Sequence, residues 1–75
     1  MIKFQLPQSE QVKLVIYNVL GQAVRTLVNN RMDAGYHHIE WDGRNDLGQA
    51  VASGIYIYRF ETPNYSKVMK MILMK

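Results

Sequence analysis

The chain has 75 residues, a formal net charge of +3 and no cysteine. A chain of this length forms one domain at most and buries only about 60 % of its unfolded surface, which leaves little room for a deep catalytic cleft. Without cysteine it has neither a disulfide framework nor a thiolate metal site.

Charge distribution and hydropathy exclude two kinds of partner. The nine basic residues are scattered along the chain without a run, whereas a nucleic-acid-binding surface needs clustered cations. No apolar run approaches the roughly 18 residues of a membrane-spanning helix, and the N-terminus lacks the long apolar core of a secretory signal. We therefore expect no nucleic-acid partner and no membrane insertion.

Alternation of apolar and polar residues predicts the first two strands. The segment MIKFQL, residues 1–6, places Ile2, Phe4 and Leu6 on one face, and Pro7 with the polar residues after it ends the segment. Residues 12–18 are apolar on both faces, because Val15 and Tyr17 stand opposite the main apolar row. The second strand is therefore expected to be central in its sheet.

Residues 23–30 are the one ambiguous segment, because Val24, Leu27 and Val28 also fit helical spacing. The segment is short, holds three β-branched residues and has turn-forming residues on both sides. These features favour a strand.

The segment YHHIEW, residues 36–41, alternates again, with His37, Ile39 and Trp41 on one face. Its adjacent histidines point to opposite faces of a strand and cannot bind one metal ion together. The three serines of the chain lie in no nucleophile-elbow pattern and beside no evident base. We expect no enzymatic activity and no cofactor.

The stretch WDGRNDLGQAVASG, residues 41–54, is rich in turn-forming residues. Asp42, Asn45 and Asp46 carry oxygens of the kind that calcium prefers, but the sixth position of a calcium-binding loop, which must be glycine, is Leu47 here. We expect these side chains to hydrogen-bond their own backbone in successive turns and to bind no metal.

The glycines of the same stretch serve backbone geometry in this interpretation. Gly43, Gly48 and Gly54 mark places where the chain needs a positive φ or a close approach to a neighbouring strand. After them, residues 55–60 alternate, so the stretch is interpreted as a long corner that leads into a strand. Trp41, Tyr56 and Tyr58 could form a platform for a sugar, although tyrosines at this spacing are more typical of a core.

The closing segment, residues 67–75, is predicted to be a strand with Met69, Met71 and Leu73 on one face. These apolar side chains are expected to pack in the core. Lys70 and Lys75 are expected to remain solvated and available to a receptor.

Six strands at spacings near ten residues, without a convincing helix, predict an all-β antiparallel sandwich that forms one domain over residues 1–75. We find no internal repeat. The predicted core between the two sheets consists of Phe4, Leu14, Ile16, Ile39, Trp41, Tyr56, Tyr58 and Phe60.

Five blocks of sequence, in this order, carry a resemblance that covers nearly the whole chain. They are IKFQLP at 2–7, VKLVIYNVLGQAVRTL at 12–27, AGYH at 34–37, WDGRNDLGQAVASGIYIY at 41–58 and KMILMK at 70–75. Together they resemble the flagellar hook-capping type of immunoglobulin-like domain, in the form found at the C-termini of cargo proteins of the type IX secretion system. The resemblance implies an immunoglobulin-like antiparallel β-sandwich of six to seven strands.

The resemblance further implies a C-terminal sorting domain without catalytic activity. Its partners would be the secretion machinery of the outer membrane and the upstream domains of a parent protein. The parent would pass through the periplasm and be secreted or held at the cell surface. Lys70 and Lys75 belong to the closing tail that the resemblance marks as needed for export.

Two departures from the family pattern bear on this interpretation. The proline- and asparagine-rich lead that usually precedes the first strand is missing, so we expect an excised C-terminal domain of a larger secreted protein. The second small β-domain of hook-cap proteins has no counterpart here, which favours the sorting branch. The alternatives are an accessory spacer or polysaccharide-binding module of a secreted hydrolase, and a flagellar or adhesin-like structural module.

Overall fold

The computed structural model describes residues 2–74, which form two antiparallel β-sheets. The strands are β1 (Ile2–Leu6), β2 (Glu10–Tyr17), β3 (Ala23–Met32), β4 (Gly35–Ile39), β5 (Gly54–Thr62) and β6 (Tyr65–Leu73). β1 pairs with β4 in a small sheet, and the other four form a large sheet in the order β3-β2-β5-β6. The predicted all-β sandwich is confirmed, as is the strand in the ambiguous segment 23–30. The described residues include no helix with the length and hydropathy of a membrane span.

Strand β2 is central, as its two apolar faces predict. It pairs with β3 on one side and with β5 on the other. Val15, on the face that points away from the small sheet, is buried together with the residues of the inner face. The register with β3 shifts between Leu14 and Val15, so that Leu27 of β3 has no partner and forms a bulge. Such a bulge increases the local twist of the strand.

The core lies between the small sheet and the inner face of the large one. Its buried side chains are Ile2, Leu6, Val12, Leu14, Ile16, Val28, Tyr56 and Phe60. The core prediction is confirmed for the four of its members that stand in this set. Its other members, Phe4, Ile39, Trp41 and Tyr58, are half-buried and pack against the core. Phe4 and Ile39 belong to the small sheet, Tyr58 to β5, and Trp41 to the loop after β4.

Strand β6 lies at the edge of the large sheet. Met71 and Leu73 are half-buried and pack against the core, as predicted, but Met69 is 40 % exposed. The prediction that Met69 packs in the core is therefore wrong. The small sheet does not reach over this part of β6, so the inner face of the edge strand stays open to solvent.

Candidate functional site

The loop between β4 and β5, residues 40–53, is called the corner loop below. Core aromatic side chains hold both of its ends. The Trp41 ring meets the Tyr56 ring edge-on, with centroids 5.0 Å apart, and its Nε1–H donates to the carbonyl oxygen of Arg44 at 2.9 Å. At the other end the Tyr56 hydroxyl donates to the carbonyl oxygen of Ala52 at 2.7 Å.

These contacts bear on the sugar platform considered for Trp41, Tyr56 and Tyr58. Tyr56 is only 7 % exposed, and Tyr58 is half-buried against the core. A stacking platform needs open ring faces, so the platform hypothesis is wrong for Tyr56. The ring fills the core, and its hydroxyl is used to fix the loop.

Asp42 turns the first part of the corner loop. Its Oδ1 accepts from the backbone N–H of Arg44 at 3.1 Å, as expected for an aspartate that closes a turn on its own backbone. The same carboxylate lies 3.4 Å from Nη1 of Arg25 on β3. Both side chains are partly exposed, and such a pair contributes at most about 1 kcal/mol.

Asp46 does something that the sequence interpretation missed. Its backbone N–H donates to the carbonyl oxygen of Val24 at 3.0 Å, and its Oδ1 accepts from the backbone N–H of Thr26 at 3.0 Å. The expectation that Asp46 bonds its own loop is therefore wrong. The residue covers the edge of β3 beside the bulge, where backbone groups would otherwise be unpaired.

Asn45 forms a turn that occurs twice in the chain. Residues 18–22 (NVLGQ) and 45–49 (NDLGQ) share the pattern N-x-L-G-Q. In each, the asparagine Oδ1 accepts from the backbone N–H groups two and four residues later, all at 3.0 Å. In each, the glycine has a φ of 81° and donates to the asparagine carbonyl oxygen.

The chain therefore contains a repeated five-residue unit, and the expectation that it has no internal repeat is wrong at this scale. The signal was present in the sequence, because the same four residue types recur at the same spacing. One turn joins β2 to β3, and the other is held against β3 through Asp46. The corner loop is thus built from a local unit that the chain also uses for an ordinary hairpin.

Replacing Asn45 with alanine should lower the free energy of unfolding by about 1 kcal/mol, because two backbone donors lose their acceptor at a solvated site. Asn45→Asp keeps the accepting oxygen and is the matched control. Urea denaturation of the two variants measures the difference. Equal destabilisation by both would contradict the assigned role of the side-chain oxygen.

The glycines of the corner have the geometry that was predicted for them. Gly43, Gly48 and Gly54 have φ values of 73°, 81° and 148°. Residues other than glycine rarely adopt these backbone conformations. At Gly48 a Cβ would meet nothing within 4 Å, so backbone strain alone selects glycine in this turn.

Calcium is expected to leave the melting temperature unchanged. The Oδ1 atoms of Asn45 and Asp46 each accept from backbone N–H groups at 3.0 Å, so a cation would have to displace these bonds. Within residues 2–74 no cluster of three or more histidine, aspartate or glutamate side chains has the arrangement of a metal site. Thermal denaturation with calcium and with a chelator tests this, since a bound ion raises the melting temperature by mass action.

The two histidines lie on opposite faces of β4, as predicted. His37 stacks on Phe4, with ring centroids 5.4 Å apart, and its Nε2 lies 2.7 Å from the carbonyl oxygen of Asp33. His38 is exposed on the other face. His37 therefore serves the packing of β1 against β4.

Lys70 lies on the face of the large sheet that points away from the small one, here called the outer face. It stands opposite Ile57 of β5, between Val68 and Ile72 of its own strand. The outer face is unusually apolar around this lysine, since Ile72 is 64 % exposed and Val68 and Ile55 are exposed as well. Lys75, the other predicted recognition residue, lies outside the described residues, and its role stays a prediction.

The two charged side chains of β5 on the outer face, Arg59 and Glu61, form an ion pair with each other. Arg59 Nε lies 3.0 Å from a carboxylate oxygen of Glu61. Among the described residues Lys70 takes part in no ion pair. Within residues 2–74 Lys70 is therefore an ammonium group without an ion-pair partner, flanked along its strand by the exposed side chains of Val68 and Ile72.

The sequence contained part of this signal. Residues 54–61 and 67–75 are apolar on both faces, and Ile55 and Ile57 stand opposite the tyrosines of β5. Alternation cannot tell which of two apolar faces is covered. The outer apolar residues around Lys70 were therefore not singled out.

Comparison with known proteins identifies the domain type. The family model described as FlgD Ig-like domain matches residues 2–64, from β1 through the corner loop and β5. No curated protein and no solved structure matches the chain significantly. The match does not identify a sorting function. It does cover most of a chain that folds as two antiparallel sheets, and the chain therefore belongs to the FlgD Ig-like domain family of immunoglobulin-like modules.

Proposed function

We propose that this domain is a non-catalytic sorting module that the type IX secretion machinery of the outer membrane recognises. Cargo upstream of the domain would pass through the periplasm and be secreted or attached to the cell surface. The observation that carries the proposal is the outer face around Lys70. The resemblance of the closing segment KMILMK to sorting tails supports the same assignment.

The chemistry of the outer face suits a protein partner. Isolated exposed apolar residues are normal, but contiguous ones mark interaction surfaces. Ile55 and Ile72 are direct partners across the β5–β6 pair, and Val68 lies on the other side of Lys70, opposite Arg59; all three side chains are exposed. Lys70 adds one charge that can find a carboxylate on the partner, while its aliphatic stem lies along the apolar surface. A contact of this kind combines burial of apolar area with one oriented ion pair.

The corner loop supports the absence of catalysis in this proposal. Its polar side chains are engaged in holding backbone geometry, as the bonds of Asp42, Asn45 and Asp46 illustrate. A catalytic loop instead directs its polar atoms toward a substrate. We assign this loop to the scaffold.

A structural module of the flagellar hook-capping type is the second candidate, and the family match over residues 2–64 favours it. That match ends before β6, so it applies equally to a domain whose last strand is not recognised by any export machinery. The two candidates differ in what they require of β6. In a sorting module the exposed side chains of this strand are recognised, whereas in a structural module they are dispensable.

The test is export of a fluorescent protein fused upstream of this domain in a host with type IX machinery. A fusion without the domain and a fusion to a known sorting tail are the controls. We expect the domain to bring the cargo to the cell surface or the medium, as the known tail does. Retention of the cargo in the periplasm, while the known tail exports it, would favour the structural module.

A further inference from the structure

The small sheet leaves one side of the sandwich open. β1 pairs with β4 along one edge, and its other edge has no strand beside it in the described part of the chain. A cleft of about 480 Å³ runs along this edge. One wall is the whole of β1, and the other is the β5–β6 hairpin; no residue of β4 lines the cleft.

The floor of the cleft is aromatic. Phe60 packs against Phe4 with ring centroids 4.7 Å apart and meets the Tyr65 ring edge-on at 6.2 Å. Tyr65 is nevertheless 56 % exposed, and Tyr58 lines the cleft beside them. Met69, which follows Lys67 along the inner face of β6, is exposed as well. An apolar face of the large sheet thus stands uncovered next to an unpaired strand edge.

We propose that this cleft accepts an extended segment of another polypeptide, which adds to the free edge of β1 as a third strand of the small sheet. Unpaired N–H and C=O groups along a strand edge are satisfied as a set only by another extended backbone. The added strand would place every second side chain over Tyr58 and Tyr65, so these positions must be apolar. Pro7 ends β1, which limits the paired length to about five residues.

Charge selects an acidic partner over a second copy of this chain. Lys3 and Lys67 line the cleft against one carboxylate, Glu10. The edge strands that a second copy would insert include β1 and β6, which carry Lys3, Lys67 and Lys70. Like charges placed opposite one another in a sheet are destabilising. A segment with acidic residues next to its apolar ones is complementary to the cleft.

Synthetic peptides test the proposal. Three fluorescent seven-residue peptides carry glutamate at both ends, threonine at alternate positions and valine, leucine or phenylalanine at the positions between. We expect saturable binding of at least one of them to the folded domain, measured by fluorescence anisotropy. Absence of binding by all three would overturn the proposal.

Backbone methylation distinguishes strand addition from unspecific apolar contact. In an added strand, alternate amide N–H groups face β1 and the others face solvent. Two isomers of the binding peptide, each N-methylated at two alternate amides, should therefore differ about tenfold or more in Kd. Equal affinity of the two isomers would overturn the proposal.

Two lysines on opposite faces of β6 provide a matched pair of variants. Lys67 lines the cleft, whereas Lys70 lies on the outer face. Lys67→Glu should lower the affinity for the peptide with glutamate at both ends about fivefold. The same variant should raise the affinity for a peptide with lysine at both ends. Lys70→Glu should leave both affinities unchanged, which separates this inference from the sorting function. The same response from both variants would overturn it, as would a concentration-dependent dimer that excludes the peptide.

Discussion

Replacing Leu14 with alanine is expected to lower the free energy of unfolding by about 2–5 kcal/mol. The side chain is 0 % exposed and stands between Val28 on β3 and Phe60 on β5, both of them buried. The neighbours are held in a paired sheet and can relax only partly into the space that the truncation leaves. A domain of this size has a total stability of only about 5–10 kcal/mol, so the variant should be partly unfolded at moderate urea concentration.

Leu20 offers the matched control, because the same substitution there removes the same atoms from a side chain that is 80 % exposed. Leu20→Ala should change the stability by less than about 0.5 kcal/mol. Urea denaturation followed by circular dichroism measures both variants. Similar losses at the two positions would place the core elsewhere than between β2 and the small sheet.

Replacing Trp41 with alanine is expected to cost about 2–4 kcal/mol, somewhat less than truncation of a fully buried aromatic side chain, because the ring is half-buried against the core. The ring packs edge-on against Tyr56 and its indole N–H holds the carbonyl of Arg44. Loss of both contacts frees the first end of the corner loop from the core. The Tyr56 ring, whose hydroxyl holds the second end of the loop, then loses its packing contact with the Trp41 ring.

Trp41→Phe separates the two contributions. This variant keeps an aromatic ring against Tyr56 and loses the indole donor, so it should cost about 1–2 kcal/mol. Thermal and urea denaturation of the two variants give the comparison. A cost below about 0.5 kcal/mol for Trp41→Ala would mean that the loop is held without this residue.

The sequence predicted the strands well because each strand carries its own signal. Alternation in residues 2–6 and 36–41 depends only on local geometry, since one face of each segment is turned toward the core, although β4 ends at Ile39, two residues before the predicted end. The ambiguous segment 23–30 was assigned correctly from its β-branched residues. Its bulge at Leu27 was not predicted, because it depends on pairing with β2.

Long-range hydrogen bonds were beyond the sequence signal. Asp46 was expected to close its own turn, yet it pairs with Val24 and Thr26, about twenty residues away. Nothing in the local pattern distinguishes an aspartate that caps a neighbouring strand from one that caps its own loop. The two turns that begin at Asn18 and Asn45 could, in contrast, have been predicted. A comparison of their two sequence segments shows the shared pattern.

The surfaces were the least predictable part. Apolar residues on both faces of β5 and β6 suggest two buried faces, but the small sheet has only two strands. Which apolar side chains remain exposed follows from how the sheets overlap. Met69 on the inner face is exposed for this reason, whereas Ile72 is exposed because, among the described residues, no second sheet lies over the outer face.

The most direct test of whether the outer face carries the export signal compares two variants of the domain, Lys70→Glu and Lys67→Glu, each fused to the same upstream cargo. Both lysines are exposed on the same strand and point to opposite faces, so each substitution should leave the stability within about 0.5 kcal/mol. We expect the Lys70→Glu fusion to accumulate in the periplasm and the Lys67→Glu fusion to reach the cell surface or the medium. Unchanged export of the Lys70→Glu fusion, or an equal loss in both, would contradict recognition through the outer face.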